Sequence, residues 1–236
     1  MDMNANGPPS PSSDTLLPNF EKFVVIVTYG RSGSTLLQTI LQGMPGAFIR
    51  GENNNALYPL FRAYKRAYNT RYNKGTAPIP SNGPWYGADE IVPRRFGQRL
   101  AAAFIQDVLN PPPEARILGF KEIRFHDTED GEMTEFLEFI AEYFKPCKLV
   151  FNTRRASDVA RSSWWKDVEM RKVLTMVETL DEVYAAYVAS HQDHAFLVRY
   201  EDYTRSPDTL APLFEFLGEA YPAEHIRSAL SQQLRH

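Results

Sequence analysis

The sequence predicts one α/β domain: a central parallel sheet flanked by helices, with a P-loop-like strand–loop–helix at its start. Three observations predict it. Short β-branched, apolar runs recur along the chain. Each is followed by a stretch with helical spacing of its apolar residues. The first run leads through a glycine-containing loop straight into a helix. Strands that alternate with helices build parallel sheets covered on both faces.

The elements follow in order. Phe23 to Thr28 reads FVVIVT and is ended by Tyr29-Gly30, a strand buried on both faces. Ser34 to Met44 carries Leu36, Leu37, Ile40, Leu41 and Met44 at helical spacing, with Ser34 as N-cap and Pro45-Gly46 as the stop. Ala47 to Arg50 is a short strand with Gly51-Glu52-Asn53 as its exit. Ala56 to Tyr72 places Leu57, Leu60, Phe61, Tyr64, Tyr68 and Tyr72 on one helical stripe. Prolines and glycines punctuate Gly75 to Pro93, a long loop around Trp85-Tyr86. Arg94 to Leu109 is a helix, Ile117 to Phe125 a strand, Met133 to Phe144 a helix and Lys148 to Thr153 a strand. Ser157 to about Asp193 is helical with one break near Asp167. Ala195 to Tyr200 is a strand; Asp208 to Leu217 and Ala223 to Arg235 are helices. Residues 1–19, rich in Pro, Ser, Asn and Gly, are a disordered tail, and 20–236 form the domain.

In open parallel sheets, ligands bind beyond the carboxyl ends of the strands. The first exit reads Gly30-Arg31-Ser32-Gly33-Ser34-Thr35 and enters a helix. Two glycines allow a tight turn whose N–H groups point inward. The helix N-terminus adds positive potential, the hydroxyls add hydrogen bonds and Arg31 adds a charge, which together make a phosphate cradle. The nucleotide-triphosphate loop G-x-x-x-x-G-K-[ST] does not fit, because Ser34 stands in the lysine position. The alternative is a plain strand–turn–helix. The exit after Thr153 offers Arg154 and, eight residues on, Ser162. A guanidinium fork with a hydroxyl suits a second phosphate. Pairing of Arg154 and Arg155 with surface carboxylates is the alternative.

These two segments together resemble the sulfotransferases that use 3′-phosphoadenosine 5′-phosphosulfate (PAPS). Their first motif, like [YP]-x-[KR]-[ST]-G-[ST]-[ST], stands here as Tyr29 to Thr35. The resemblance implies that Gly30, Arg31, Ser32, Gly33, Ser34 and Thr35 bind the 5′-phosphosulfate and that Arg154 and Ser162 bind the 3′-phosphate. A third echo is Val198-Arg199-Tyr200-Glu201-Asp202 followed by Phe216-Leu217-Gly218, which implies that Tyr200 lies near the adenine. The sequence departs from the family at Leu36, where an aromatic often stacks on the adenine. It has no counterpart of the C-terminal Arg-Lys-Gly element of cytosolic members. Arg31 in place of the commoner lysine fits bacterial and carbohydrate members better.

The resemblance also points to catalytic groups. Ile123 occupies the place of the histidine base of cytosolic members, while Glu52 stands where carbohydrate members carry a glutamate. Glu52 is therefore the expected general base, against the alternative of a surface turn favoured by Asn53 to Asn55. Lys121 matches the family's strand lysine and, with Arg31, is expected to stabilise the transferring group. Lys121 and Glu122 alternate faces on their strand, and Glu122 with Arg124 is expected to form an internal ion pair or bind an acceptor. His126-Asp127 reads as a solvated turn, and His191 and His194 as complements to a helix C-terminus. Trp85, Tyr86, Trp164 and Trp165 offer flat surfaces for a saccharide acceptor, with one of the tryptophans in the core.

Composition excludes other classes. Twenty-six basic residues against 29 acidic ones, −3 net, do not suit a chain that neutralises a long phosphate backbone, so no nucleic acid is expected. The single cysteine, Cys147, rules out a disulfide framework and suits a cytoplasmic setting. No apolar run reaches membrane-span length, and no metal is expected. The function expected is sulfuryl transfer from PAPS, with 3′,5′-bisphosphoadenosine (PAP) as product, to an acceptor hydroxyl on a carbohydrate. The alternatives are a P-loop-type nucleotide kinase or a non-catalytic PAP/PAPS sensor.

Overall fold

The structure, a computed structural model, describes residues 19–129 and 131–233. The expected tail, apart from Asn19, lies outside the described residues. Five strands form one parallel sheet: β1 (Lys22–Val27), β2 (Ala47–Arg50), β3 (Ile117–Glu122), β4 (Cys147–Thr153) and β5 (Ala195–Arg199). Their spatial order is β2-β3-β1-β4-β5. Register pairs Ile26 with Lys121 and Val27 with both Glu122 and Phe151.

β1 lies at the centre, and alternation along it divides the core. Phe23, Val25 and Val27 face α2 (Leu57–Asn73), α3 (Pro93–Ala103), α4 (Glu132–Tyr143) and α6 (Met170–Ser190). Val24 and Ile26 face α1 (Ser34–Leu41), α8 (Ala211–Leu217) and α9 (Ala223–Gln233). Both sets are fully buried, as expected for a β-branched run inside a two-sided sheet. The chain leaves β1 toward β2 and leaves β4 toward β5. The β1 and β4 exits therefore diverge, and a crevice opens between them at the switch point.

Several boundaries differ from expectation. The strand expected to reach Phe125 ends at Glu122. The Glu122 carboxylate accepts the N–H groups of Ile123 and Arg124 at 2.8 and 3.0 Å, which takes them out of the ladder. Arg124 instead makes an isolated antiparallel bridge with Tyr29. The long helix expected from Ser157 is three pieces: α5 (Ala156–Ala160), a 3₁₀ segment at Ser163–Asp167, and α6. Ser163 at φ 51° makes the break. There Trp165 turns inward and donates Nε1–H to the Gly30 carbonyl at 3.1 Å. Ser162 therefore sits in an extended conformation between two short helical pieces and not inside a helix. Tyr200 opens α7 (Tyr200–Arg205) and does not close β5.

Candidate active site

The first loop is held from below. Asn152, fully buried on β4, donates Nδ2–H to the Ser32 carbonyl at 3.0 Å. Its Oδ1 accepts the Tyr203 hydroxyl at 3.1 Å. Thr28 Oγ1 lies 2.7 Å from the Asn152 carbonyl oxygen and 2.6 Å from Ser32 Oγ. The Ser32 hydroxyl is thus turned into the fold and braces the loop, while Thr35 is exposed and Ser34 buried.

The expected N-cap also differs. Gly33, left-handed at φ 83°, caps α1, and no side chain bonds to the helix start. The Leu36 and Leu37 N–H groups return to the Gly33 carbonyl. Ser34 and Thr35, one position earlier, have no carbonyl within the helix to donate to. An uncapped first turn of this kind is a place for an anion. Gly33 is required twice over: an added Cβ would stand 2.1 Å from the Tyr200 ring, and φ 83° strains any L side chain. Gly33→Ala should cost about 1–2 kcal/mol from handedness alone and push Tyr200 off the loop. A denaturation midpoint shifted down checks this, and an unchanged midpoint would refute it.

Three strand exits meet over this loop. Arg31, itself at φ 68°, donates Nε–H to Ser162 Oγ at 2.9 Å. Arg154 donates Nη1–H to the Arg31 carbonyl at 3.0 Å, and its guanidinium lies 4.4 Å from the Tyr200 ring centroid. Trp164 lies 5.6 Å from the Arg31 guanidinium, and Gly30 leaves room for the two tryptophans, since a Cβ there would come within 2.9 Å of Trp164.

Beside the loop lies a second group. Ile26 faces α1, so its register partner Lys121 lies on the α1 face of the sheet. Lys121, its side chain 6% exposed, donates Nζ–H to Glu52 Oε1 at 2.6 Å, and Glu52 is 34% exposed. The carboxylate is therefore reachable while the ammonium beneath it is not. Arg124 Nη1 lies 3.5 Å from Glu52 Oε2. Glu122 points to the other face and is fully buried. Besides the N–H groups of Ile123 and Arg124 it accepts those of Asn53 and Asn55, at 3.3 and 2.7 Å. Its contact with Arg124 is a longer one, 3.5 Å, so backbone capture is its main role and acceptor binding is not. Among the described residues, the buried side-chain atoms lacking a hydrogen-bond partner are Arg154 Nε and Asn53 Nδ2. One belongs to each half of the site. Buried donors are rarely left unpaired, and both keep hydrogen-bonding capacity that the described residues do not use.

A family model described as "Sulfotransferase family" matches residues 24–223. The chain belongs to the sulfotransferase family. Its fold is similar to the sulfotransferase domain of the Synechococcus PCC 7002 olefin synthase. That match has a TM-score of 0.55 and 20% identity over 85% of this chain and 74% of the other. A search of curated proteins finds no match.

In this sulfotransferase the residues expected to hold nucleotide, Gly30 to Thr35, Arg154, Ser162 and Tyr200, come together at the β1–β4 crevice. Leu36, in the place of an adenine-stacking aromatic, is buried in the core beneath α1. Of the tryptophans, Trp165 packs against the core and Trp164 is exposed. Trp85 and Tyr86 are exposed on their loop. His126 Nδ1 lies 3.1 Å from the Ile123 carbonyl oxygen, an acceptor, and its Nε2 lies 3.2 Å from Asp127 Oδ1. His191 bonds the Tyr187 carbonyl in the last turn of α6 at 2.9 Å. Lys65 on α2 pairs with Glu132 and Glu135, and Arg62 with Glu129 and Glu132, so these two cations join α2 to α4. Among the described residues no cluster of His, Cys, Asp and Glu is placed to hold a metal ion, and no helix is long and apolar enough to cross a membrane. Sequence reasoning missed Thr28, Asn152 and Tyr203, the braces of the loop. The signal available was one amide, Asn152, in the otherwise apolar run Leu149-Val150-Phe151.

Proposed function

We propose that this chain, through residues 20–236, transfers the sulfuryl group of PAPS to an acceptor hydroxyl. The observation that carries this reading is the direct joining of the two phosphate-binding segments. Arg31 reaches Ser162 and Arg154 reaches the loop carbonyl, so one continuous cradle has two anion-binding ends. The unpaired Arg154 Nε and the uncapped start of α1 fit a nucleotide carrying phosphates at both ends. Arg154 and Ser162 would hold the 3′-phosphate, the N–H groups at Gly33 to Thr35 with Arg31 the 5′ side, and Tyr200 the region of the adenine. PAPS supplies the sulfuryl group and a phosphate leaving group.

Glu52 accepts the proton of the attacking hydroxyl as general base. Lys121 orients that carboxylate and, with Arg31, counters negative charge as it develops. A saccharide acceptor is supported by exposed Trp85, Tyr86 and Trp164, flat faces on which a sugar ring can lie. A cytoplasmic setting is supported by the lone cysteine, which is buried as a thiol.

Thermal shift with PAP, AMP and ATP tests the nucleotide reading. PAP should stabilise the protein strongly, because a ligand that binds only the folded state raises its melting temperature. AMP, lacking the 3′-phosphate, should bind more weakly, and Arg154→Ala should abolish most of that difference. An ATP shift equal to that of PAP would favour a kinase; equal affinity of the wild type for PAP and AMP would overturn the 3′-phosphate assignment.

A further inference from the structure

Tyr29 ties both halves of the nucleotide cradle to the helix layer behind the sheet. Its ring is fully buried and lies parallel to that of Tyr184 on α6, with centroids 6.3 Å apart. Its hydroxyl oxygen accepts the Arg154 backbone N–H at 2.8 Å. Its one O–H hydrogen has two acceptors in reach: Asp181 Oδ1 at 2.9 Å and the Arg154 carbonyl at 3.0 Å. A phenol donates one hydrogen at a time. A charged carboxylate is the stronger acceptor, so ionised Asp181 draws the hydrogen away and leaves the phenol oxygen turned to receive the Arg154 N–H. When Asp181 is protonated that pull is lost, and the hydrogen is free to swing to the Arg154 carbonyl. The hydrogen bond to the Tyr29 hydroxyl links Asp181 to the backbone of Arg154.

We propose that Asp181 is a positioning residue for the nucleotide: through the Tyr29 hydroxyl it sets where Arg154 stands at the end of β4. This rests on the reading above that Arg154 grips the 3′-phosphate. Asp181 lines a cleft of about 390 Å³ between α6, β5, α7 and the β4 exit, where Arg154, Arg155, Asp202 and Arg205 are further charged neighbours. Burial pushes its carboxyl up to about 6; the Tyr29 hydrogen bond and Arg199 on β5 oppose the rise, while Glu201 on α7 and Glu178 on α6 add to it. Burial also raises the phenols of Tyr29 and Tyr184 far above the physiological range, so both stay neutral. Arg155, the remaining near cation from the β4 exit, is engaged with Asp158 on α5. Asp181 is therefore the member of this relay that changes charge near neutrality. The grip on the 3′-phosphate should weaken as pH falls through about 6.

The test measures dissociation constants for PAP and AMP from pH 5 to pH 8 in the wild type, Asp181→Asn, Tyr29→Phe and Arg154→Ala. The phosphates of the ligands titrate in the same range, but equally for every variant, so each variant is compared with the wild type at the same pH. Asp181→Asn keeps the shape and deletes the titration. It should lose about five- to tenfold of the preference for PAP over AMP at pH 8, the worth of roughly one hydrogen bond. Its ratio to the wild type should close as the pH drops below 6. Tyr29→Phe, which keeps the ring, should show the same loss by an independent route, and the double variant should lose no more than either single one. Asp181→Asn or Tyr29→Phe with the wild-type preference and the wild-type pH profile would overturn the proposal. If Arg154→Ala leaves the preference intact, the 3′-phosphate reading itself falls and takes the proposal with it. The two failures are thus told apart.

Discussion

Glu52→Gln should lower sulfuryl transfer by ~10²–10⁴-fold, the usual cost of removing a general base, while leaving PAP affinity near the wild-type value. Glutamine has almost the same shape, and its carbonyl can still accept from Lys121, which lies 2.6 Å from the carboxylate. The buried ammonium therefore keeps a partner, and the fold should survive. Because Glu52 is about one-third exposed, water screens the pair, and losing its charge should cost little stability. Nothing in nucleotide binding calls for a carboxylate facing an anionic sulfate. Binding and turnover should therefore separate: PAP titration unchanged, single-turnover rate collapsed. A sensor would show the first and have no turnover to lose. Normal turnover in Glu52→Gln would move the base elsewhere, and His126, half-buried just beyond β3, would be next in line. Glu122 would not, because its oxygens already serve backbone N–H groups.

Glu122→Ala should be among the most destabilising single changes in the molecule, at about 3 kcal/mol or more, since hydrogen bonds to a charged group contribute about 1.5–3 kcal/mol each and buried donors left without acceptors carry a further penalty. Four N–H groups lose their acceptor at once, those of Asn53, Asn55, Ile123 and Arg124. Two of them hold the exit of β2, the loop that carries Glu52. Asn54 and Asn55 there are left-handed, at φ 57° and 55°, a conformation asparagine tolerates but which needs holding. Destabilisation should therefore come with a loss of turnover greater than the unfolded fraction explains. Chemical denaturation at fixed slope gives the first quantity, and transfer rate per folded molecule gives the second. A denaturation midpoint equal to that of the wild type would show that the N–H groups find other acceptors.

The strand–loop–helix, the arginine and serine eight residues apart, and the glutamate after β2 were all legible, because each is a local pattern at a strand exit. So was the two-sided burial of β1, since a continuous β-branched run needs both faces covered. The ends of elements were not. Glu122 stopped β3 by capturing its own next two N–H groups, and nothing in Phe120-Lys121-Glu122-Ile123 distinguishes that from a continuing strand. Trp165 broke the expected helix by reaching Gly30, 135 residues away in sequence.

The family resemblance suggested the proposed roles; residue type and spacing by themselves determined that hydroxyls, guanidinium groups, a carboxylate and an ammonium stand at or near the strand exits. Local conformational preferences and hydrophobic periodicity suffice for that, because both are properties of neighbouring residues. Tertiary structure decided which of those groups are free to act. Ser32, read as a phosphate ligand, spends its hydroxyl beside Thr28, and Glu122, read as an ion-pair partner or acceptor contact, spends its oxygens on backbone. Arg31 and Ser162, assigned to opposite ends of a nucleotide, touch each other. The physical reason is that a buried polar group must find a partner wherever the fold supplies one. That partner is set by strand order and register, which bring residues more than 100 positions apart within hydrogen-bond reach and leave no trace in the local pattern.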